Sequence, residues 1–170
     1  QVANGVDIIV AQGHEAGGHT GEIASMVLTP EVVDAVGPDV PVLGAGGIGS
    51  GRQVAASMAL GAQVVWTGSI WLGTEEYQNL VSNKGWSTAF TRATSADTVR
   101  TRVYTGKPAR LLKTRWTEAW AEEGAPEPLP MPLQNLLVAE AHNRINASDN
   151  PDVISMPIGQ IVGRMNEVRP

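Results

Sequence analysis

The sequence predicts an α/β fold in which short apolar strands alternate with helices, and two neighbouring segments carry this prediction. An apolar strand over 42–45 runs into a glycine-rich turn and then into an apolar helix over 52–60. The next strand, 64–67, ends in a second glycine turn, Gly68-Ser69. Two successive strand ends that offer backbone donors to one phosphate are typical of the last two strands of a (β/α)8 barrel. We therefore predict the C-terminal portion of a TIM barrel, comprising its last three strands, followed by a helical tail.

The first predicted strand, 6–11, is apolar over most of its length and ends at Gln12-Gly13, as expected of a strand that is buried on both faces. Thr29 and Pro30 have the character of an N-cap residue and a first-turn proline, so they predict that a helix begins there and continues to residue 36. The resulting strand–helix–strand–helix–strand order has short loops. It predicts parallel strands that are joined by right-handed crossovers.

The pattern changes after residue 75, and we divide the chain there into a βα portion, 1–75, and a helical or irregular segment, 76–170, that packs on the barrel. Residues 98–112 alternate only loosely between polar and apolar types. Trp116 and Trp120 are four positions apart, which predicts that they pack together on one helix face. Three helices are predicted in this segment: 114–122, 133–145 and 158–168.

The length of 170 residues is short for a complete (β/α)8 barrel, which needs about 250 residues. The first residue is Gln1 rather than Met, and a strand begins soon after it. We therefore expect a fragment that lacks the N-terminal part of the same barrel. Such a fragment is expected to be unstable or to aggregate when isolated, since a partial barrel leaves strand edges unpaired.

Composition argues against several classes of function. The net charge of −5 and the isoelectric point near 5.1 disfavour a nucleic-acid surface, which needs a basic face. No apolar run is long enough to cross a membrane and no signal peptide is visible, so the expected location is the cytoplasm. Because the chain has no cysteine, it has no disulfide, no thiolate metal site and no Cys nucleophile.

The glycine turns predict a phosphate site, because glycine lets backbone N–H groups approach an anion and the following helix adds its positive N-terminus. Gly44, Gly46 and Gly49 also satisfy the spacing of a Rossmann dinucleotide site. That site needs an acidic residue about 20 residues further on, and the nearest acid here, Glu75, lies well beyond the next strand. A NAD-dependent Rossmann dehydrogenase is therefore the weaker alternative. A third interpretation is that the glycines only serve a tight strand–helix connection.

The loop over 14–22 holds two histidines and two glutamates at the end of a predicted barrel strand, where barrel active sites lie. His14 and His19 are five residues apart, and Gly17-Gly18 disfavours a helix, so the spacing does not predict a zinc site and we expect no metal. A loop histidine is often a solvated bystander. We favour His19 over His14 as a functional residue, because two glycines precede it and allow the backbone to fold closely against a ligand.

Several motifs together resemble those of the nitronate monooxygenase family, formerly called 2-nitropropane dioxygenases. The two most specific are the loop Gln12-Gly13-x-Glu15-Ala16-Gly17-Gly18-His19-x-Gly21 and the turn Gly46-Gly47-Ile48. Weaker motifs follow in the family's order: Gly68-Ser69, Gly106-Lys107-Pro108-Ala109-Arg110, Pro130-Met131-Pro132-Leu133-Gln134 and Gly159-Gln160-x-x-Gly163. The resemblance therefore covers nearly the whole chain.

This resemblance implies an FMN-dependent oxidoreductase, a TIM barrel with an inserted helical lid, that oxidises alkyl nitronates with O2. It implies that His19 is the active-site histidine. It also implies that FMN lies against Gln12, Gly13 and Gly18 and that its phosphate is held by Gly46, Gly47, Gly68 and Ser69. An alternative branch reduces enoyl- or other acyl-CoA thioesters with NAD(P)H, and the segments 66–71, 105–110 and 130–134 look closest to that branch.

Overall fold

A computed structural model describes residues 1–81 and 83–170 of the chain. The strands are β1 (Ile9–Gln12), β2 (Gly18–His19), β3 (Val42–Ala45), β4 (Val64–Trp66), β5 (Thr98–Thr101) and β6 (Ala109–Leu112). The α-helices are α1 (Ser25–Val36), α2 (Gly51–Ala59), α3 (Glu75–Leu80), α4 (Gly85–Arg92), α5 (Arg115–Ala119) and α6 (Leu133–Ala147). Short 3-10 helices cover Val2–Asn4, Ser69–Gly73 and Gln160–Arg164.

The first half of the chain forms a parallel sheet in the order β1-β3-β4, with α1 and α2 in the two crossovers. The predicted alternation and the parallel strand direction are confirmed. The first strand begins at Ile9, later than predicted, and it includes Gln12, which pairs with Ala45. Residues 6–8, the first half of the predicted strand, lie outside β1, and residues 2–4 before them form a short 3-10 helix that ends at Gly5, whose φ of 80° is left-handed. The apolar run at the start of the chain is therefore only partly a strand.

Helix α1 begins at Ser25, about one turn earlier than the helix predicted from Thr29 and Pro30. The reason is a cap from outside the helix: the Glu15 carboxylate accepts hydrogen bonds from the backbone N–H and the hydroxyl of Ser25. A carboxylate at a helix N-terminus satisfies free N–H groups and faces the positive end of the dipole. Thr29 is therefore a buried core residue and not an N-cap, and Pro30 lies inside the helix.

The two faces of the parallel sheet differ in what covers them. Ile9 and Val42 are buried against α1. Successive residues of a strand point to opposite faces, and on the other face Val10, Val64 and Trp66 are 38%, 54% and 59% exposed. In a closed barrel this second face is the interior. The sheet therefore presents a row of apolar side chains that the described residues cover only in part.

The second sheet is antiparallel, in the order β2-β6-β5, and the sequence did not predict it. The loosely alternating segment 98–112 is a hairpin whose connection is too long for the two-residue turns that mark hairpins in a sequence. β2 adds Gly18 opposite Arg110 and His19 opposite Ala109. The sheet therefore joins the 14–22 loop to the second half of the chain.

The prediction of a helix over 158–168 is wrong, since the helical part of this segment is a short 3-10 helix, Gln160–Arg164. The neighbouring residues Ile161 and Val162 are both buried. The segment is therefore enclosed on more than one side and lacks the single apolar stripe of a surface helix. The other two predicted helices are confirmed as α5 and α6, with shifted ends.

The core of the second half is built around five buried side chains: Phe90, Ile154, Met156, Ile158 and Val162. Trp116 and Trp120 contact each other edge to face with ring centroids 5.9 Å apart, which confirms their predicted packing. Within residues 1–81 and 83–170, no helix is long and apolar enough to cross a membrane.

Candidate active site

A cleft of about 350 Å³ lies at the carboxyl ends of the parallel strands. Ligands of α/β proteins bind at this edge of the sheet, where strand ends, loops and helix N-termini converge. Both glycine turns of the sequence reach it. Six of the predicted site residues line the cleft: Gln12, Gly18, Gly46, Gly47, Gly68 and Ser69.

The first glycine turn exposes its backbone to this cleft. Gly46 and Gly47 have φ values of +100° and +68°, left-handed conformations that residues with a Cβ rarely adopt. Among the described residues, no protein acceptor takes the N–H of either glycine. A Cβ at Gly47 would lie 3.1 Å from the Glu15 side chain. The turn therefore offers two N–H donors at a place that a bulkier residue would not fit.

The second strand end adds a hydroxyl group. Ser69 Oγ accepts a hydrogen bond from the Gly159 N–H at 2.9 Å, so its own proton is left to donate to another acceptor. A Cβ at Gly68 would meet no atom of residues 1–81 or 83–170 within 4 Å, which leaves the space beside this backbone open. The two turns together place N–H and O–H donors around one cleft, as an anion site requires.

The C-terminal segment forms one wall of the cleft through Pro157, Gly159 and Ile161. It is held by close backbone packing, because a Cβ on Gly17 would lie 2.7 Å from the nitrogen of Gly159. Gln160 also donates its N–H to the carbonyl of Glu15 at 2.9 Å. The glycines at 17 and 159 therefore allow two distant segments to meet at the site.

His19 lies beside the cleft and is not one of its lining residues. Its backbone carbonyl accepts a hydrogen bond from Gln12 Nε2 at 2.7 Å, and Gln12 does line the cleft. Its ring nitrogen Nε2 is 2.6 Å from Thr105 Oγ1. The side chain is exposed. The structure therefore places the predicted histidine at the rim of the cleft, one residue from the lining residue Gly18.

Gly13 occupies a different position from the other predicted cofactor residues. It does not line the cleft, and its N–H donates to the Ala45 carbonyl at 2.9 Å. A Cβ there would lie 2.7 Å from Ser25 Cβ. Gly13 therefore allows β1 to pass closely beside the start of α1. It can affect a ligand in the cleft only indirectly, by positioning the loop that follows it.

Sequence reasoning missed two residues that hold this loop. Arg110 is only 4% exposed and donates from Nε to the His14 carbonyl at 3.1 Å and from Nη1 to Thr98 Oγ1 at 3.0 Å. Burial lowers the pKa of its guanidinium from the usual value, while the negative charge of Glu15 opposes this shift. Thr105 is the second residue. The motif around Gly106 marked their neighbourhood, but only the hairpin brings them to the histidine loop.

The comparisons with known sequences cover the whole chain. A family model described as nitronate monooxygenase matches residues 1–170. The monooxygenase Rv1533 of Mycobacterium tuberculosis is 55% identical over a region that covers 98% of this chain and 45% of that protein. A nitronate monooxygenase of Bacillus subtilis is 35% identical, covering 96% of this chain and 48% of its own length. The chain therefore spans about half the length of these relatives.

Solved structures show the same relationship. The nitroalkane oxidase from Streptomyces ansochromogenes superposes with a TM-score of 0.83 and 31% identity, covering 99% of this chain and 49% of its own. FabK from Thermotoga maritima superposes with a TM-score of 0.79 and 31% identity, covering 99% of this chain and 52% of the FabK chain. These matches confirm the predicted portion of a TIM barrel and leave no support for the Rossmann alternative. The chain belongs to the nitronate monooxygenase family, a family of oxidoreductases.

Proposed function

We propose that the full-length protein is an FMN-dependent oxidoreductase that oxidises alkyl nitronates with O2, with its cofactor in the cleft at the strand ends. One observation carries this proposal: two successive glycine-ended strands direct unused backbone donors and a serine hydroxyl into the same cleft. Membership of the nitronate monooxygenase family supports it.

The residues of the cleft fit the phosphate group of FMN. Gly46 and Gly47 on one side and Gly68 and Ser69 on the other provide donors without any charged side chain. Aligned N–H groups in such a turn stabilise an anion because their positive ends point at it. Gln12 lies further along the same cleft, where its side-chain oxygen can accept a hydrogen bond from the flavin ring.

When bound, FMN supplies the acceptor for the electrons that leave the substrate. The residues of this chain supply position and proton transfer. His19 lies at the rim of the cleft with an imidazole that can accept a proton or donate a hydrogen bond to a substrate oxygen. Gln12 holds the backbone of His19 in register with the cleft through its 2.7 Å hydrogen bond.

A second candidate function is the reduction of enoyl- or other acyl-CoA thioesters with NAD(P)H on the same cofactor. The observation that favours it is positive charge on the connection between β5 and β6, which contacts His19 through Thr105: Lys107 is exposed and Arg102 is half-buried on this connection. Neither forms a salt bridge with any described residue. Cations of this kind suit the phosphates of CoA or of a nicotinamide cofactor.

We also propose that the rest of the same barrel covers the apolar sheet face of Val10, Val64 and Trp66. The exposed fractions of these side chains, from 38% to 59%, support this, since a monomeric protein rarely leaves a contiguous apolar row in water. The small-molecule substrate would then enter a site to which the absent strands also contribute. The division into a barrel portion, 1–75, and a packing segment, 76–170, remains part of this proposal.

The test uses the full-length protein. FMN should be released on denaturation and be identifiable by mass, and the native protein should absorb near about 450 nm, as a bound flavin does. Anaerobic mixing with propyl-1-nitronate should bleach that band, whereas NADH or NADPH followed by crotonyl-CoA tests the second function. Absence of flavin, or a flavin that neither reductant bleaches, would contradict both functions.

A further inference from the structure

A hydrogen-bond contact joins His19 to a residue that the sequence gives no reason to connect with it. His19 Nε2 lies 2.6 Å from Thr105 Oγ1, and 86 positions separate the two residues. His19 is on β2 and Thr105 is in the connection between β5 and β6. The antiparallel register, with His19 opposite Ala109, brings the histidine to this connection.

The backbone of His19 is fixed independently of its ring. Gln12 Nε2 donates to the His19 carbonyl, and β2 pairs with β6 on the other side. Rotation about the side-chain bonds of His19 is therefore the main freedom that the ring retains. The contact with Thr105 removes that freedom as well, since a hydrogen bond at this distance requires a defined ring orientation.

Thr105 is itself held on a braced connection. Gly106 has a φ of +90°, and a Cβ there would lie 2.7 Å from the backbone carbon of Pro130. Arg102 Nε donates to the Gly106 carbonyl at 3.0 Å. The fully buried Gln134 donates from Nε2 to the Val103 carbonyl at 3.0 Å. A partner braced in this way can hold an imidazole ring in place.

The hydrogen bonds of the described residues leave one ring nitrogen of His19 without a partner. Thr105 Oγ1 also accepts from the Lys107 N–H at 3.4 Å, so one of its lone pairs is used and its proton can be donated to His19 Nε2. No residue in the described part of the chain hydrogen-bonds to Nδ1 of His19. We propose that Thr105 is a positioning residue that holds Nε2 of His19, so that Nδ1 is the nitrogen presented to the substrate. This rests on the proposed function of His19.

A purely structural contact would have the same geometry, but its removal would have different consequences. If the contact only stabilises the hairpin, its loss lowers stability and leaves the chemistry of the folded enzyme unchanged. If Thr105 positions the ring, its loss frees both ring nitrogens and changes the tautomer populations of His19. The rate constant of the chemical step falls, while cofactor content stays normal.

The experiment compares Thr105→Val, Thr105→Ser and Thr101→Val in the full-length protein. Thr101 is a matched control, because it lies on the same hairpin and, among the described residues, its hydroxyl hydrogen-bonds only with the Val103 N–H. Flavin reduction is followed with propyl-1-nitronate and with NADH. The side-chain nitrogen shifts of ¹⁵N-labelled histidine report the tautomer of His19, and a His19→Asn variant assigns the signals.

Thr105→Val should slow flavin reduction about 10- to 100-fold, the range for a misplaced catalytic group. It should also shift the two His19 nitrogen signals and alter the pH profile of reduction. Thr105→Ser should restore all three, and Thr101→Val should change none. Unchanged rate, signals and pH profile in Thr105→Val would overturn the proposal.

Two further outcomes separate this proposal from the proposed function. Normal flavin reduction in His19→Asn would overturn the role of Thr105 together with that of His19. FMN retained in this variant would still support the proposed cofactor site. A protein without flavin would instead refute the proposed function itself.

Discussion

Replacing Ser69 by alanine tests the phosphate site through one oxygen atom that has two roles. Ser69 Oγ accepts the Gly159 N–H at 2.9 Å, and its proton is available to the phosphate of FMN. A hydrogen bond to a charged group contributes about 1.5–3 kcal/mol. Each 1.4 kcal/mol is tenfold in a dissociation constant, so Ser69→Ala should weaken FMN binding by about 10- to 100-fold.

The assay is a titration of the flavin-free, full-length protein with FMN, followed by quenching of flavin fluorescence. Riboflavin serves as the matched ligand, because it lacks the phosphate and should bind Ser69→Ala and the parent protein almost equally. Ser69→Thr keeps the hydroxyl and should retain FMN affinity. Equal losses of FMN and riboflavin affinity would show that the variant disturbs the cleft in general. An unchanged FMN affinity would show that no phosphate bond forms at Ser69.

Three other perturbations follow from the same structure. Gly17→Ala should lower the free energy of unfolding by about 1–3 kcal/mol, because the new methyl group would overlap the backbone of the C-terminal segment. Gly21→Ala is the control: among the described residues there is open space at its Cβ position, so it should change the stability little. His142→Phe should reduce the loss of stability on acidification. Burial lowers the pKa of His142 from about 6.5, so the stability that the neutral ring contributes is complete above pH 6.5. This stability is lost as the pH falls through the lower folded-state pKa. His19→Asn should slow flavin reduction by about 10²–10⁴-fold and His14→Asn far less.

The measurements for these variants are direct. Thermal or urea unfolding of the full-length protein compares the two glycine variants, and equal stability would contradict the close packing at position 17. Unfolding of the His142 variant between about pH 7.5 and 5 should show a flatter dependence than the parent, so identical slopes would contradict it. Rapid mixing with the physiological reductant separates the two loop histidines, and near-normal reduction in His19→Asn would leave that residue a structural role only.

The strand–turn–helix–strand unit of the first half was predictable because its signals are local. The glycines at 46 and 47 follow an apolar strand directly, and the second strand repeats the pattern at Gly68-Ser69. A single glycine in the sequence marks a place where the backbone can adopt a left-handed conformation, so the glycine turns were predictable without knowledge of any long-range contact. Four of the six predicted residues that line the cleft, Gly46, Gly47, Gly68 and Ser69, follow from that local pattern, whereas Gln12 and Gly18 were predicted from the family resemblance.

The rest of the site depends on contacts between residues far apart in the chain. The carboxylate that caps α1 comes from Glu15, so a search for a local N-cap placed the helix start at Thr29 instead of Ser25. The hairpin that receives the histidine loop has a long connection instead of a two-residue turn, so the sequence did not reveal that Thr105 is the partner of His19. Tertiary contacts of this kind override local propensity, and local patterns within one sequence do not reveal which distant residues meet.

The close backbone contact between residues 17 and 159 couples the docking of the C-terminal segment to the binding of any ligand in the cleft, so the two form one linked equilibrium. Ninety positions separate Ser69 from Gly159, so this wall is absent until translation has passed well beyond both strand ends. A ligand that binds only the closed cleft stabilises the docked segment by a free energy that grows with the logarithm of its concentration. Bound FMN should consequently protect residues 157–161 from proteases, since Pro157, Gly159 and Ile161 form one wall of the cleft. Cofactor occupancy is thereby reported at a place far along the chain from the glycine turns.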